Sequence, residues 1–346
     1  MSSLRTVYLT ALIESDPIAL ASRRTFLTQL ATLFAAAGFG VPPQSSAAGG
    51  WMEPPPVARP NAPPVRYFQP PTPYRNRLSE PTDLNSMVQR YLTQLRQTGR
   101  LATNERTAWL VYDFTSRQFL VTINASTPYQ SASMIKPFIA LAFFHKVWEG
   151  ALGYTRIQRQ HMEAMIQHSD NRATNYFIEL LNRTSHRSGP AEAERTLKQR
   201  HPGVFRHTRI VERIPGGGRT YRNRASALDY HRFLQALWYD QLPYSGELRR
   251  LMYLPNRDRI YTGAAGVARQ TQVLDKTGTT ARLCGDMGIL VARGRNGRSY
   301  PYTFIGIIEK AQPAQNYLAW QRARGDVIRE VSSMVYAQLK YSYDLV

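Results

Sequence analysis

Ser133 stands three residues before Lys136, at the head of the stretch Ser131-Ala-Ser-Met-Ile-Lys-Pro-Phe-Ile-Ala-Leu-Ala-Phe-Phe144, the most apolar run after residue 50. A serine hydroxyl at its ordinary pKa is a poor nucleophile. A desolvated amine one turn away, its pKa lowered by burial, can take the hydroxyl proton and free the oxygen for attack. A lysine is almost never fully buried without a partner, because stripping water from an ammonium is costly. Lys136 therefore has a partner or a use. On a helix, positions three apart share a face. The first helical turn adds backbone N–H groups and the positive dipole end, which suit a developing oxyanion.

Two further groups follow in order: Ser169-Asp170-Asn171 and Lys276-Thr277-Gly278. Ser-x-x-Lys alone is expected by chance about once in a chain this long. Here it occurs once, in a chain with only six lysines among 44 basic residues. Each of the other two triplets has a chance expectation of roughly 0.1 or less.

The three motifs in this order resemble the serine β-lactamase and penicillin-binding protein superfamily, most closely the class A β-lactamases. The resemblance runs from about residue 82 to the C-terminus. It implies that Ser133 is the acylated nucleophile and Lys136 its general base, directly or through neighbours. Ser169 would pass a proton to the departing ring nitrogen, and Asn171 would hold the substrate's side-chain amide and position Lys136. Lys276 and Thr277, with Gly278 completing the motif, would bind the substrate carboxylate. The backbone N–H groups of Ser133 and Thr279 would form the oxyanion hole.

The sequence leaves the class A pattern twice. The interval from Ser133 to Ser169 is short, so part of the helical subdomain is expected to be trimmed. The second departure concerns a loop in which those enzymes carry a glutamate that activates the deacylating water, ahead of an Ile-Pro-Gly-like segment. Ile214-Pro215-Gly216 is present here, and Glu212 matches a later acidic position of that loop. Counting back five residues places His207 where the activating glutamate is expected. A neutral imidazole can activate water. Three readings stay open: His207 as the base, Glu212 acting through a shifted loop, or no effective deacylation base.

Other chemistry finds no support. The chain has no Gly-x-Ser-x-Gly, no His-Glu-x-x-His and no metal-spaced Cys/His cluster, so no cofactor or metal is expected. His161 and His168 lie seven apart in a helical stretch and are expected to face solvent. Tyr221-Arg222-Asn223 resembles a proton-shuttle motif of other β-lactamase classes, a role Ser169-Asp-Asn already fills. The single cysteine, Cys284, forbids an intrachain disulfide and reads as a buried small apolar residue.

The elements that must position these residues follow from pattern. Thr82 or Asp83 is a plausible N-cap for a helix whose face is marked by Leu84, Met87, Val88, Tyr91, Leu92 and Leu95, with Gly99 at its end. Trp109 to Ile123 reads as two strands around a turn near Ser116-Arg117. One helix begins in the Ser133 stretch, and others are predicted near 156–168, 171–183, 226–239 and 245–254. Residues 200 to 225 form an irregular loop rich in Gly and Arg. Strand character returns at Thr271–Lys276, Met287–Val291 and Tyr302–Ile308, and Gln315 to Leu339 reads as a final helix. The expected fold is an α/β (α+β) sandwich: an antiparallel sheet of about five strands from both ends of the chain, flanked by terminal helices, with an inserted all-helical subdomain. The sheet part takes in about 82–130 and 256–346, and the helical part about 131–255.

Ahead of that domain, Ser22-Arg-Arg-Thr-Phe-Leu-Thr28, an apolar run from Leu30 to Val41 and Ser45-Ser-Ala-Ala48 read as a twin-arginine signal peptide over residues 1–48. Twelve of the 22 prolines lie from Pro42 to Pro81, so residues 49–81 read as an extended tether. The formal charge of +20 favours anionic surroundings such as acidic cell-wall polymers. Export excludes cytoplasmic nucleic acid as a partner. The expectation is a monomeric periplasmic or otherwise exported serine hydrolase. Its partners would be a small β-lactam or peptidoglycan-peptide substrate and the twin-arginine export machinery. The alternatives are a D-alanyl-D-alanine peptidase or penicillin-binding protein, and a non-enzymatic cell-wall binding module that keeps the pocket.

Overall fold

The computed structural model describes residues 83–215 and 222–346. The expected signal peptide and tether, together with Gly216 and Tyr221, lie outside the described residues. Helix α1, Leu84–Gln97, opens on Asp83, whose carboxylate accepts the Asn85 N–H at 3.2 Å. It buries Leu84, Val88, Leu92 and Leu95, a stripe spaced by three and four residues. Strands β1 (Glu105–Asp113) and β2 (Gln118–Ile123) form a hairpin. Strands β5 (Gln272–Thr280), β6 (Leu283–Arg293) and β7 (Ser299–Lys310) complete a five-stranded sheet in the order β2-β1-β7-β6-β5, antiparallel throughout. The first two strands in sequence thus close onto the last three, as expected.

Both sheet faces are covered, and side chains alternate between them with the strand period of two. Trp109, Val111, Phe304 and Ile308 face a core that they share with α1 and the last helix, α8 (Tyr317–Tyr343). Ala108, Leu110, Ile305 and Ile307 face the other core, which holds the helical region. That region contains α2 (Lys136–Trp148), α3 (Arg156–Ile166), α4 (Asn171–Asn182), α5 (Gly189–Arg200), α6 (Ala227–Trp238) and α7 (Ser245–Tyr253). Every residue of α2 from Lys136 to Lys146 is buried, which suits a helix that is apolar nearly all round.

Three elements were not expected. Helix α5 carries a polar sequence whose pattern is weak, and it is fixed by burial of Pro190, Ala193 and Leu197 rather than by propensity. Strands β3 (Pro128–Gln130) and β4 (Arg224–Ser226) are three-residue pieces too short for any periodicity to mark them, paired antiparallel in a second small sheet. Strands β5 to β7 also run longer than predicted.

Candidate active site

Ser133 sits in a 3-10 turn, Ala132–Ile135, which leads directly into α2. With three residues per turn, positions i and i+3 eclipse. The turn thus holds Ser133 by the Lys136 N–H, which donates to Ser133 O. Two bonds set its pose: Ser131 N–H donates to Asn223 O at 2.9 Å, and Met134 N–H to Ser131 O at 3.0 Å. Ala132 is left-handed, with φ +45°. A non-glycine residue there is strained and persists only where its surroundings hold it.

The Lys-Thr-Gly motif lies inside β5, not in a turn. Gly278 pairs with Gly285 across the β5–β6 ladder, and together they make a notch. A Cβ on Gly278 would stand 2.9 Å from Met134 Cγ, and one on Gly285 would stand 2.8 Å from Met134 Cε. Met134 thus seats the Ser133 turn against β5, and any larger residue at Gly278 would push the two apart.

Ser169 is the second strained residue, with φ +57°. It ends the α3–α4 connection, and Asp170 next to it caps α4 by accepting the Ala173 N–H at 2.6 Å. The bend turns the Ser169 carbonyl and hydroxyl, with the Asn171 side chain, onto Lys136. The Lys136 Nζ lies within hydrogen-bond reach of Ser169 O, of Ser169 Oγ at 3.1 Å and of Asn171 Oδ1 at 2.9 Å. Lys136 is fully buried, so burial above all, with Lys276 nearby and despite Asp170, pushes its amine down to about 6. At neutral pH such an amine is mostly unprotonated, a base one turn from a serine. Ser133 is half-buried, which leaves its hydroxyl within reach of a substrate.

Lys276 is 2% exposed, and its Nζ donates to Thr277 O at 3.2 Å. Thr277 and Thr279 are half-buried on the same strand. The arrangement keeps both lysines behind and brings Ser133, Ser169, Asn171, Thr277 and Thr279 to partial exposure. Arg259 joins this group. Its guanidinium donates to Gly285 O at 3.0 Å and to Thr279 Oγ1 at 2.6 Å. Nothing in the sequence marked Arg259, since it is one arginine of many in a loop without a motif.

The loop before β4 is tied down by Asn223, which is buried. Its Oδ1 accepts the Val211 and Glu212 N–H groups at 2.8 and 3.1 Å, and its Nδ2 donates to Glu212 O at 3.0 Å. Asn223 therefore supplies a brace between this loop and the Ser133 turn. Glu212 Oε1 accepts the Arg222 N–H at 2.8 Å. His207 is placed at the start of α6: its N–H donates to Asp229 Oδ2 at 2.8 Å, and its Nδ1 lies 3.4 Å from Asp229 Oδ1 and 3.3 Å from Ser226 Oγ. His168 is exposed as expected, whereas His161 is half-buried and stacks on Tyr176 with ring centroids 4.3 Å apart. Cys284 is buried and free.

The model of the beta-lactamase enzyme family matches residues 157–339, more than half of the chain. The chain belongs to the beta-lactamase enzyme family. The matched stretch holds Ser169, Asn171 and Lys276-Thr-Gly, while Ser133 and Lys136 precede it. No curated protein matches the chain. Among solved structures it is similar to a point mutant of PBP-A, an acyl-enzyme complex with penicillin G, at 21% identity and a TM-score of 0.58, covering 75% of this chain and 97% of that one. A variant of the last common ancestor of Gram-negative class A β-lactamases matches at 19% identity and TM-score 0.57, over 74% of this chain and 99% of that one. A β-lactamase from Desulfarculus baarsii matches at 19% identity and TM-score 0.57, over 74% and 98%. At these identities the likeness concerns the fold. Fold and family together make the chain a serine hydrolase of the β-lactamase and penicillin-binding protein superfamily.

Proposed function

We propose that this protein opens β-lactam rings through an ester on Ser133. The observation that carries the reading is Lys136: fully buried, its amine pushed down to about 6, and held by Ser169 and Asn171 at the base of the turn that presents Ser133. In the acylation step Ser133 Oγ attacks the ring carbonyl and its proton goes to the neutral Lys136 amine. The carbonyl oxygen takes the negative charge in the hole between the Ser133 and Thr279 N–H groups. As the ring C–N bond breaks, the proton travels from Lys136 through the Ser169 hydroxyl, 3.1 Å away, to the departing nitrogen. Asn171 holds the substrate amide and Lys276 with Thr277 the carboxylate.

Mass spectrometry after incubation with benzylpenicillin tests this directly. The wild type gains the mass of one penicillin on Ser133, and Ser133→Ala, which keeps its melting temperature, gains none. An adduct that survives Ser133→Ala sinks the assignment. A second reading, a D-alanyl-D-alanine peptidase or penicillin-binding protein, is supported by the loop: His207 is not a carboxylate, and its Nδ1 is engaged with Asp229 and Ser226. Under it the adduct persists. The pocket-only binding module would give no adduct.

Export is part of the proposal. The Arg23-Arg24 pair and the apolar segment after it support a twin-arginine route to the periplasm. Replacing both arginines by lysine should leave the precursor in the cytoplasm, as read by cell fractionation. Unchanged export of the double variant contradicts it.

A further inference from the structure

The end of the sheet away from Ser133 carries charge that no motif uses. Met134 of the Ser133 turn packs at Gly285 on β6, and Arg293 ends that strand eight residues later, about 26 Å along it. From Arg293 the chain turns through Gly294-Arg-Asn-Gly-Arg298 into β7, with the Gly294 N–H on Arg298 O at 3.0 Å. The residues after α8 dock on this turn. Arg295 N–H donates to Asp344 O and Val346 N–H to Arg293 O, both at 3.0 Å, and Gly294 pairs with Leu345. Tyr343, the last residue of α8, stacks on Tyr300 with ring centroids 4.6 Å apart, and its hydroxyl donates to Asp113 at the β1–β2 turn. Two hairpin turns and the end of α8 are thus bound into one face.

That face is basic. Arg117, Arg293, Arg295, Arg298 and Lys340 are all exposed on it. Against them stand Asp344, buried Asp113 and, counted as charged, the Val346 carboxylate. Asp113 already accepts the Thr115 and Ser116 N–H groups at 2.8 and 3.2 Å, besides the Tyr343 hydroxyl. Among the described residues only Arg295 of the five cations is ion-paired, with Asp344 at 3.5 Å. Arg293 bonds a neutral oxygen, Gly297 O, at 3.0 Å. Cations held together by tight turns repel one another, a cost that an anionic surface removes. Next to Lys340, Tyr341 is 87% exposed. A soluble anion is met by the cations alone and has no use for an exposed ring. A bilayer surface offers phosphates to the cations and an apolar boundary to the tyrosine.

We propose that this face docks the protein on an anionic lipid bilayer, with the five cations on the phosphate groups and Tyr341 at headgroup level. Docking there leaves the Ser133 site free, since that site lies toward the other end of β5 and β6. The test is co-sedimentation of the full chain with phosphatidylcholine vesicles that hold either no charged lipid or about a third phosphatidylglycerol. The quantity read is the excess of binding to the charged vesicles, so any affinity of the apolar run from Leu30 to Val41 for bilayers in general cancels. The excess should be about tenfold or more, because each cation near such a surface contributes roughly fivefold to the binding constant. It should largely vanish between about 0.1 and about 0.5 M salt. Arg117→Asn with Arg298→Ser removes two unpaired cations of the face, and asparagine suits the left-handed backbone at 117, where φ is +58°. This double variant should lose about tenfold or more of the excess. Arg90→Ser with Arg187→Ser removes the same charge from exposed positions on α1 and ahead of α5, and should change the excess by less than about twofold. Tyr341→Ser should weaken vesicle binding several-fold and leave binding of soluble polyphosphate unchanged. No excess on charged vesicles, or an equal loss in the two double variants, overturns the proposal, since binding would then be absent or set by net charge alone. Polyphosphate binding as strong as vesicle binding, with both indifferent to Tyr341→Ser, would assign the face to a soluble polyanion and overturn it as well.

Discussion

Lys136→Arg should slow acylation of Ser133 at neutral pH by at least about a hundredfold, the scale of a positioned base. Arginine keeps the positive charge but stays protonated in proteins, so it cannot take the serine proton. It also has no room, since Lys136 is fully buried and its Nζ is already met by Ser169 O, Ser169 Oγ and Asn171 Oδ1. Lys136→Met removes the amine with less strain and should lose acylation equally while still melting cooperatively. The pH profile separates a base from a packing residue. The amine works unprotonated, and burial sets its midpoint at about 6. The wild-type rate should therefore rise as pH climbs through about 6 and level off above it. The residual rate of a Lys136 variant should lack that rise. The stability sign runs the same way. The unfolded lysine binds a proton below its ordinary value of 10.5 and the folded one only below about 6, so the folded state loses stability as pH falls between the two. A Lys136 variant with a near-normal acylation rate would mean that the serine proton goes elsewhere.

The candidate site was legible because its motifs are residue types at short spacing. Ser133 with Lys136 and Ser169 with Asn171 lie within single turns, so chain geometry alone brings each pair together. The terminal helices were legible for a related reason: Asp83 caps α1 and Gly99 follows its end with φ +71°. What failed to show were features set by distant contacts. Arg259 matters because β6 places Asp286 and Gly285 under it, 27 and 26 residues on. His207 takes its pose from Asp229, 22 residues away. The predicted strand stops at Lys276, because glycine after threonine looks like a strand end. In fact Gly278 is needed in mid-strand, where Met134 leaves no room for a Cβ. The same contact explains why the fold tolerates left-handed Ala132: β5 and Asn223 hold the turn from both sides.

That placement of His207 shapes the second large effect, which concerns deacylation. With nitrocefin we expect about one equivalent of product per enzyme in a burst, followed by slow steady turnover. Hydrolysing the ester needs a group beside its carbonyl to deprotonate water, and lacking one typically costs ~10²–10⁴-fold in rate. His207 Nδ1 is engaged with Asp229 and Ser226, and Glu212 Oε1 accepts the Arg222 N–H. Restoring a carboxylate by His207→Glu would set it against Asp229, a like charge where the imidazole now stands, so that substitution should not speed the steady phase. His207→Ala and Glu212→Gln should leave the steady rate within a few-fold of wild type. The check is the pre-steady-state trace of the three proteins side by side. Fast wild-type turnover without a burst would refute slow deacylation, and a collapse in only one variant would then identify the residue that activates the water.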